Sequence, residues 1–266
     1  MGARLGQHFL KSEHLLKQIS DYAQISSSDV VLEVGSAFGN LTKYLTAAKK
    51  VYAVEIDKKI FPQLVEAMKQ HKNVECINMD ILKYDFPSDV NKIIGNLPYE
   101  ISSPITEKIL LFLNRQKRAN KKNLLTILMY QKEFAERMTA FPGLSDYSRL
   151  SVLVNYFAEA EIMMSVPRTA FRPAPKIESA VVKLTPLDVE PNPDLFRLAK
   201  ILFTHKNKNV IKAIIDSRDM LRLKDKKQLK EILPALIKKF SETKVFYLEI
   251  KDMEELLEIL KKEKII

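Results

Sequence analysis

The stretch Val30–Gly39, which reads VVLEVGSAFG, decides the fold of this chain. Its first five residues, Val30–Val34, are rich in β-branched side chains, which favours a buried strand. Gly35 follows directly, and a glycine at this point lets the backbone turn and pass close to a ligand. The next residues, Asn40–Ala48, have the pattern of a helix. This order of strand, glycine turn and helix predicts the first unit of a nucleotide-binding α/β sheet.

Further alternating units follow this stretch. The predicted strands are Val51–Ile56, Val74–Met79, Lys92–Asn96 and Leu124–Tyr130, and the predicted helices between them are Lys58–Gln70 and Pro104–Leu113. Apolar strands that alternate with helices predict an α/β fold, a Rossmann-like parallel sheet covered by helices on both faces. Two later β-rich segments, about Val154–Met164 and Ser179–Thr185, are expected to pair antiparallel at the sheet edge.

A group of prolines marks the expected domain boundary. Pro186, Pro191 and Pro193 punctuate the chain, because proline interrupts both helices and strand ladders. The chain from Asp194 onward is helical in pattern, basic and rich in leucine. We therefore expect a catalytic α/β domain over residues 1–187 and a smaller α-helical domain over residues 188–266. Within the second domain, Pro234 predicts a helix break or a helix start.

Positive charge is concentrated in two regions. The formal net charge is +10, and the segment Arg197–Lys239 holds 13 Lys or Arg residues against 4 Asp or Glu residues. A second cluster consists of Arg115, Lys117, Arg118, Lys121 and Lys122. Such patches attract polyanions by neutralising phosphates and releasing counterions. Charge alone does not distinguish RNA, DNA and an acidic membrane as the partner, and a solvated face is the alternative for each patch.

The sequence lacks the features of secreted, membrane and metal-binding proteins. No uninterrupted apolar stretch approaches the roughly 20 residues that cross a bilayer, and Met1–Gln7 has no apolar signal-peptide region. Cys76 is the single cysteine, so no intrachain disulfide is possible, and the four histidines are scattered. We therefore expect a cytoplasmic monomer that binds neither a membrane nor a metal.

Acidic residues at two predicted strand ends indicate an adenosyl cofactor. Glu55 lies 20 residues after Gly35, where a carboxylate can bind both ribose hydroxyls of an adenosine-containing cofactor. Asp80 follows the third strand, where it can accept a hydrogen bond from the adenine amine. Strand ends of open α/β sheets converge on one crevice. NAD is the competing cofactor, but it requires G-x-G-x-x-G for its pyrophosphate, and this loop reads GSAFG.

The motif Asn96–Tyr99 (NLPY) after the fourth strand has the chemistry for methyl transfer to an adenine amine. The lone pair of that amine is delocalised, and two acceptors for its hydrogens favour a pyramidal nitrogen with a usable lone pair. The Asn96 side-chain oxygen and the Pro98 carbonyl can be these acceptors, and Tyr99 offers a flat face for an unstacked adenine. The alternative is an ordinary strand-to-helix turn with a buried tyrosine.

With these residues the chain resembles the ribosomal small-subunit RNA adenine dimethyltransferase family. The matching segments are Gly6–Leu10, Glu33–Gly39, Val54–Asp57, Asp80, Asn96–Tyr99 with Ile101–Pro104, Leu128–Ala135, Phe171–Val182 and His205–Lys208. The segments Asn96–Pro104 and Leu128–Ala135 resemble the archaeal and eukaryotic branch most. The resemblance covers essentially the whole catalytic domain, and the motifs fall in the family's order and spacing.

The resemblance implies a fold, a cofactor and a set of site residues. The fold is a Rossmann-like S-adenosylmethionine (SAM)-dependent methyltransferase sheet with a smaller helical domain. Residues on the cofactor side are His8 and Leu10 at the methionine end, Gly35 against the cofactor, Glu55 at the ribose, Asp80 at the adenine amine, and Asn96 between the cofactor and the target amine. Tyr99 and Phe171 are expected on either side of the target base.

The resemblance also implies the substrate. The family acts on two adjacent adenosines in a hairpin near the 3′ end of small-subunit rRNA, within a partly assembled subunit, and adds two methyl groups to each. The basic helical domain is expected to hold rRNA. The residues expected to bind RNA are Arg115, Lys117 and Arg118 in one cluster and Lys206, Lys208 and Lys212 in the other.

One residue departs from the family pattern, which is G-x-G-x-G in the cofactor loop. Ala37 stands at the middle glycine, beside the bulky Phe38, and its methyl group is expected to crowd the cofactor or to restrict the turn. Because of Ala37, a non-catalytic ribosome-assembly factor with a weakened SAM pocket is one alternative function. An adenine methyltransferase of large-subunit rRNA is the other alternative, against which Ile101–Pro104 and Phe171–Val182 argue.

Overall fold

The computed structural model describes residues 8–221 and 226–262, with the side chains of all of these except residues 226–232. The strands are β1 (Phe9–Leu10), β2 (Val30–Val34), β3 (Lys50–Glu55), β4 (Val74–Asn78), β5 (Lys92–Asn96), β6 (Leu125–Gln131), β7 (Ala158–Val166), β8 (Phe171–Arg172) and β9 (Ser179–Pro186). Gly6 and Gln7 of the first matching segment lie outside the described residues.

Helices separate most of these strands. They are α1 (Glu13–Ala23), α2 (Thr42–Leu45), α3 (Phe61–Met68), α4 (Ser102–Arg118), α5 (Lys132–Thr139), α6 (Arg149–Phe157), α7 (Pro193–Leu202), α8 (Val210–Asp216), α9 (Lys226–Phe240) and α10 (Ile250–Lys262). Side-chain caps mark where several of them begin, α1 and α7 among them. Ser12 accepts a hydrogen bond from the Leu15 amide, and Asn192 accepts one from the Leu195 amide, so each satisfies a free amide of a first turn.

The main sheet has the order β4-β3-β2-β5-β6-β9-β7. The first five strands run parallel, and β9 joins the edge antiparallel to both β6 and β7. This topology confirms the predicted Rossmann-like α/β sheet and the antiparallel pair at its edge. The chain moves outward from β2 to β4 and then returns to β5 on the other side of β2. Such a reversal opens a crevice at the carboxyl ends of the strands.

The strand cores are mostly apolar, as parallel strands covered on both faces require, with Glu33 of β2 and Lys92 of β5 as buried charged residues. All five residues of β2 are buried, and so are the first four residues of β5. A hydrophobic cluster on one face joins α1 to the sheet through Leu16, Ile19 and Ala23. A smaller cluster places Leu64 and Met68 of α3 against Ala53 of β3. These contacts hold the strand ends that carry the candidate site.

Several predicted elements have different bounds in the structure. The helix expected over Asn40–Ala48 shortens to α2, whereas the one expected over Pro104–Leu113 extends to the whole of α4. The β-rich segment expected from Val154 starts at Ala158, because residues up to Phe157 belong to α6. Apolar runs of this length fit a buried helix as well as a strand, and periodicity alone does not separate the two.

Pro234 does not break or start a helix, which corrects the prediction for this residue. It lies inside α9, which begins at Lys226 and ends at Phe240. Proline lacks the amide that would bond to the preceding turn. The Pro234 side chain is exposed. The hydrogen bond that proline cannot make is therefore lost on the face of the helix that water can reach.

The chain forms two compact units. Unit 1 comprises residues 1–136 and 157–189, and unit 2 comprises residues 137–156 and 190–266. Residues 137–156, which lie in the first of the two expected domains, therefore group with the helical residues. Inside unit 2, the buried Tyr147 hydroxyl donates to the Leu248 carbonyl at 2.9 Å and its ring lies edge-on against Phe203. The division into domains 1–187 and 188–266 stays a prediction.

Candidate active site

A cleft lies at the carboxyl ends of β2, β3, β4 and β5, entirely within unit 1. It has a volume of about 1010 Å³, including the part open to solvent. Its lining brings together most of the predicted site residues, namely His8, Gly35, Glu55, Asp80, Asn96, Pro98 and Tyr99. The strand-end acids and the NLPY motif therefore face one space, as the predicted sheet requires.

Gly35 brings the cofactor loop directly against the NLPY motif. Its φ of +73° is left-handed, and its amide donates to the Val54 carbonyl at 3.0 Å. A Cβ atom built on Gly35 would lie 3.1 Å from the Asn96 backbone oxygen. Any larger residue would push these two segments apart, so glycine is what allows the loop and the motif to share one cleft.

Ala37 lines the same cleft in a left-handed conformation, with a φ of +48°. A residue with a Cβ atom adopts this conformation at a cost of about 1–2 kcal/mol. The Ala37 amide donates to Glu55 Oε2 at 2.9 Å, which holds the turn in place. The turn therefore forms with alanine at the position where the family pattern has glycine.

Glu55 is held as a fixed acceptor at the end of β3. Its side chain is 4% exposed, and Oε1 accepts a second backbone hydrogen bond from the Asp57 amide at 2.8 Å. Asn78 on the neighbouring strand donates to the Glu55 carbonyl at 2.8 Å. A carboxylate fixed by two amides in a cleft keeps lone pairs for further donors, such as vicinal hydroxyls.

Asp80 begins a tight turn after β4 and lines the cleft. Its Oδ1 accepts from the Leu82 amide at 2.9 Å, and its carbonyl accepts from the amides of Lys83 and Tyr84, each at 2.9 Å. Two apolar side chains that were not predicted stand beside it. Ile56 and Met79 line the cleft and are 46% and 45% exposed, so the walls offer apolar surface to a flat ring.

The Asn96 amide is oriented by the N-terminal segment. Asn96 Nδ2 donates to the His8 carbonyl at 2.9 Å, which leaves Oδ1 as the acceptor end of the amide. His8 is itself held, since its Nδ1 donates to the Pro173 carbonyl at 2.8 Å. Residues distant in sequence thus fix which atom of Asn96 is available to a ligand.

Pro98 and Tyr99 complete this side of the cleft. Pro98 is extended, with φ −59° and ψ 127°, and its carbonyl accepts from the Ile101 amide at 3.2 Å, which uses one of its two lone pairs. The Tyr99 hydroxyl bonds to the buried Ser179 Oγ at 2.8 Å, and its ring lies 5.6 Å from the His8 ring. Burial raises the pKa of Tyr99, so its hydroxyl stays neutral at physiological pH.

Leu10 and Phe171 are absent from the cleft lining, and the roles expected for them stay predictions. They are cross-strand partners of β1 and β8, and each is 5% exposed within the core cluster of unit 1. Phe9 lines the cleft in place of Leu10, with its ring 4.9 Å from that of Phe38. Successive side chains of a strand point to opposite faces, which is why the Phe9 side chain lines the cleft and the Leu10 side chain packs in the core.

Glu33 is buried below the cofactor loop, with a side chain 1% exposed. The Thr42 hydroxyl donates to its Oε2 at 2.6 Å, at the start of α2. Burial raises the pKa of Glu33 to about 7, because the interior disfavours the charged form. This carboxyl is thus partly protonated near neutral pH, unlike an exposed glutamate.

The comparisons with known proteins agree with this site. A family model described as ribosomal RNA adenine dimethylase matches residues 2–248. The chain belongs to this family. Membership confirms the family that the motifs indicated and the predicted activity class, an enzyme that dimethylates adenine in ribosomal RNA with SAM.

Close relatives of this dimethylase come from archaea. A probable ribosomal RNA small subunit methyltransferase A from Methanopyrus kandleri is 42% identical over 240 residues, which are 88% of this chain and 82% of the relative. The protein of the same description from Pyrococcus abyssi is 41% identical and covers 99% of this chain and 93% of its own length. Both relatives thus align with this dimethylase over most of its length and most of their own length.

Two solved structures share the fold. A dimethyladenosine transferase from Plasmodium falciparum has a TM-score of 0.82 and 32% identity, over 96% of this chain and 98% of that one. The 23S rRNA methyltransferase ErmE has a TM-score of 0.67 and 25% identity, over 95% of this chain and 99% of that one. These similarities confirm the fold class of the dimethylase.

The basic residues expected to bind RNA lie in both units. Arg115, Lys117 and Arg118 occupy the last turn of α4, where positive charge also favours the helix dipole. In unit 2, Lys206 Nζ donates to the Ser145 carbonyl, and Lys208 forms an ion pair of 2.7 Å with Asp216. Lys212 is exposed. The structure therefore gives two of the lysines intramolecular partners, which any RNA phosphate would have to share.

Metal and membrane sites were also sought among the described residues. In residues 8–221 and 226–262, no three His, Cys, Asp or Glu side chains form a group suited to a metal ion. None of the helices in the same part of the dimethylase is long and apolar enough to cross a bilayer.

Proposed function

We propose that this dimethylase transfers methyl groups from SAM to the N6 amines of two adjacent adenosines near the 3′ end of small-subunit rRNA. It acts as a cytoplasmic monomer on a partly assembled small subunit during ribosome biogenesis. The placement of Gly35 and Asn96 in one cleft lining carries the proposal, because it brings the cofactor loop so close to the acceptor motif that a Cβ atom on Gly35 would lie 3.1 Å from the Asn96 backbone oxygen. The small-subunit descriptions of the archaeal relatives support the choice of rRNA.

The residues of the cleft fit an adenosyl group. The fixed carboxylate of Glu55 suits ribose hydroxyls, Asp80 suits an adenine amine, and the exposed side chains of Ile56 and Met79 suit the faces of the ring. SAM, when bound there, supplies a methyl group on a positively charged sulfur. Since it has no phosphate, the GSAFG loop needs no anion site.

The acceptor side of the cleft fits an adenine amine. Asn96 Oδ1 and the remaining lone pair of the Pro98 carbonyl accept the two amine hydrogens and direct the nitrogen lone pair toward the methyl carbon. With SAM bound, the amine nitrogen would bond to the methyl carbon as the bond between that carbon and the sulfur breaks. The neutral thioether S-adenosylhomocysteine would leave, and the nitrogen would then lose one proton to solvent. The Tyr99 ring supports the flipped base by stacking, and alignment of the reacting atoms supplies most of the rate.

The same arrangement explains why two methyl groups can be added to one amine. After the first transfer the nitrogen still carries one hydrogen, which either acceptor can hold.

The exposed basic residues Arg115 and Lys212 contribute to holding the rRNA. Phe171 is 5% exposed in this conformation, and its expected place on the other face of the target base stays a prediction.

The test is methylation of undermethylated small subunits with labelled SAM, followed by mass spectrometry of the nucleosides. We expect N6,N6-dimethyladenosine from the unaltered protein and its loss in Asn96→Ala. Large subunits serve as the substrate control, since their methylation would support the large-subunit alternative. Full activity of Asn96→Ala, or a product methylated at another atom, would contradict the proposal.

A non-catalytic assembly factor is the second candidate, and Ala37 is the feature that favours it. A calorimetric titration separates the two candidates without RNA. We expect saturable SAM binding by the purified protein. An absence of binding at millimolar SAM would favour the assembly factor.

A further inference from the structure

The turn Asp80–Tyr84 forms the end of the cleft that is nearest to β4. The amides of Leu82, Lys83 and Tyr84 all bond back to Asp80, so the turn has the form of one helical turn with Asp80 as its cap. Asp80, Ile81 and Leu82 line the cleft. The position of this short turn therefore sets where the Asp80 carboxylate stands.

Lys108 of α4 holds the opposite end of this turn. Its ammonium donates to three backbone carbonyls, those of Ile81 at 3.1 Å, Leu82 at 2.9 Å and Tyr84 at 2.6 Å. An ammonium has three donors, and all of them are used here. Asp80 thus binds the backbone amides of the turn, and Lys108 binds its backbone carbonyls.

The surroundings of Lys108 are built to keep it there. The Phe86 ring covers the ammonium, with its centroid 4.6 Å from Nζ, and Phe86 packs edge-on against Phe112, one turn along α4 from Lys108. Burial lowers the pKa of Lys108, whereas the charges of Asp85 and Asp80 act in the opposite direction. A partly buried cation with three carbonyl partners is a specific arrangement, not a solvated surface lysine.

We propose that Lys108 is a positioning residue for the methyl donor: it holds the turn Asp80–Tyr84 in the shape that binds the adenosyl end of SAM. The inference rests on the proposed function, in which Asp80 meets the cofactor's adenine. It adds a residue outside the cleft lining, on a helix that the motifs did not connect with the cofactor.

The placement of Lys108 gives it a second consequence. The helix that carries it begins at Ser102, directly after the NLPY motif and its short helical turn Tyr99–Ile101. One rigid helix therefore fixes both the acceptor motif and the cofactor turn. Lys108 thus links the cofactor turn to the helix that carries the acceptor motif.

Three variants test the inference by calorimetric titration of SAM. Lys108→Met keeps the length of the side chain and removes the ammonium, and we expect SAM to bind at least about tenfold more weakly. Lys83→Met is the matched control, since Lys83 is an exposed lysine in the same turn, and we expect a change below about twofold. Lys108→Arg keeps a charged donor, and we expect it to recover affinity to within about threefold.

Steady-state kinetics then separate positioning from general damage. In Lys108→Met, the KM for SAM should rise at least about tenfold, while kcat at saturating SAM and the KM for small subunits change by less than about twofold. Hydrogen exchange should show faster exchange of the Leu82, Lys83 and Tyr84 amides, with the amides of β4 and β5 unchanged.

Each other outcome overturns the inference. SAM affinity in Lys108→Met equal to that of the unaltered protein would show that the turn does not need the lysine. Failure to fold, or loss of amide protection throughout the sheet, would make Lys108 a structural residue only. No SAM binding by the unaltered protein would overturn the proposed function together with this inference, which distinguishes the two failures.

Discussion

The side-chain amide of Asn96 donates a hydrogen bond of 2.9 Å to the backbone carbonyl of His8, which lies 88 residues earlier in the chain. This bond decides the direction of the amide, and it places a residue of the N-terminal segment in contact with the acceptor motif. The catalytic geometry therefore depends on two segments that are distant in sequence. The dependence can be measured with a substitution that keeps the shape of Asn96.

Asn96→Asp keeps the acceptor atoms of residue 96 and removes the donor. The carboxylate oxygen would then face the His8 carbonyl, and we expect the repulsion to turn the side chain and to lower kcat about 10- to 100-fold. SAM binding, measured by calorimetry, should change less than kcat. An unchanged kcat would show that the bond to His8 does not orient the catalytic group.

Two substitutions of Tyr99 separate its ring from its hydroxyl. Tyr99→Phe leaves the buried Ser179 hydroxyl without its partner, so we expect a loss of about 1–3 kcal/mol in the free energy of unfolding with little effect on kcat/KM. Tyr99→Ala also removes the stacking face, and kcat/KM for the rRNA substrate should fall about 10- to 100-fold. Denaturant unfolding and initial rates on small subunits measure the two effects. Equal rates for both variants would argue against a stacking role.

Ala37→Gly restores the glycine of the family pattern at a left-handed position. Glycine relieves the strain of this conformation, about 1–2 kcal/mol, but it raises the entropy of the unfolded chain by an equivalent of about 0.4–1 kcal/mol. We expect the free energy of unfolding to rise by at most about 1.6 kcal/mol, and the Kd for SAM to stay within about threefold. A glycine variant that binds SAM tenfold more tightly would show that the alanine methyl crowds the cofactor.

Glu33 predicts a dependence of stability on pH. Its pKa is raised to about 7 in the folded protein, against about 4.3 for an unfolded glutamate. The folded state therefore binds more protons between these values, and the contribution of Glu33 to stability falls as pH rises through this window. We expect Glu33→Gln to lose less stability than the unaltered protein between pH 5 and 8, by up to about 3 kcal/mol.

Chemical denaturation at several pH values measures this difference. Glu107→Gln is the control, since it makes the same substitution at an exposed glutamate. Parallel stability curves for Glu33→Gln and the unaltered protein would show that the Glu33 carboxyl does not titrate in this range.

Much of the fold and of the cofactor side could be predicted from the sequence. The strands β2 to β6 are apolar and alternate with helical patterns, so their order along the chain predicts a parallel sheet. Once the sheet is assumed, Gly35, Glu55, Asp80 and Asn96 must meet at one edge, because parallel strands carry their carboxyl ends to the same side.

What could not be predicted depends on contacts between distant segments. The choice between Phe9 and Leu10 follows from the pairing of a two-residue strand with β8, and so short a strand has no periodicity to read. The position of Phe171 follows from the same pairing. Lys108 looks like any other lysine on the polar face of a helix until the carbonyls of Ile81, Leu82 and Tyr84 are placed around it.

The sheet order has a further consequence for how this enzyme family can diversify. Under the proposed function, residues 30–84, on one side of the point where the strand order reverses, hold most of the contacts to the methyl donor, and residues 96–101, on the other side, hold the methyl acceptor. Donor and acceptor recognition would then lie in largely separate segments of the chain that adjoin at Gly35 and Asn96. Mutations that retarget the enzyme to another nucleotide can accumulate in the second segment while the first stays intact.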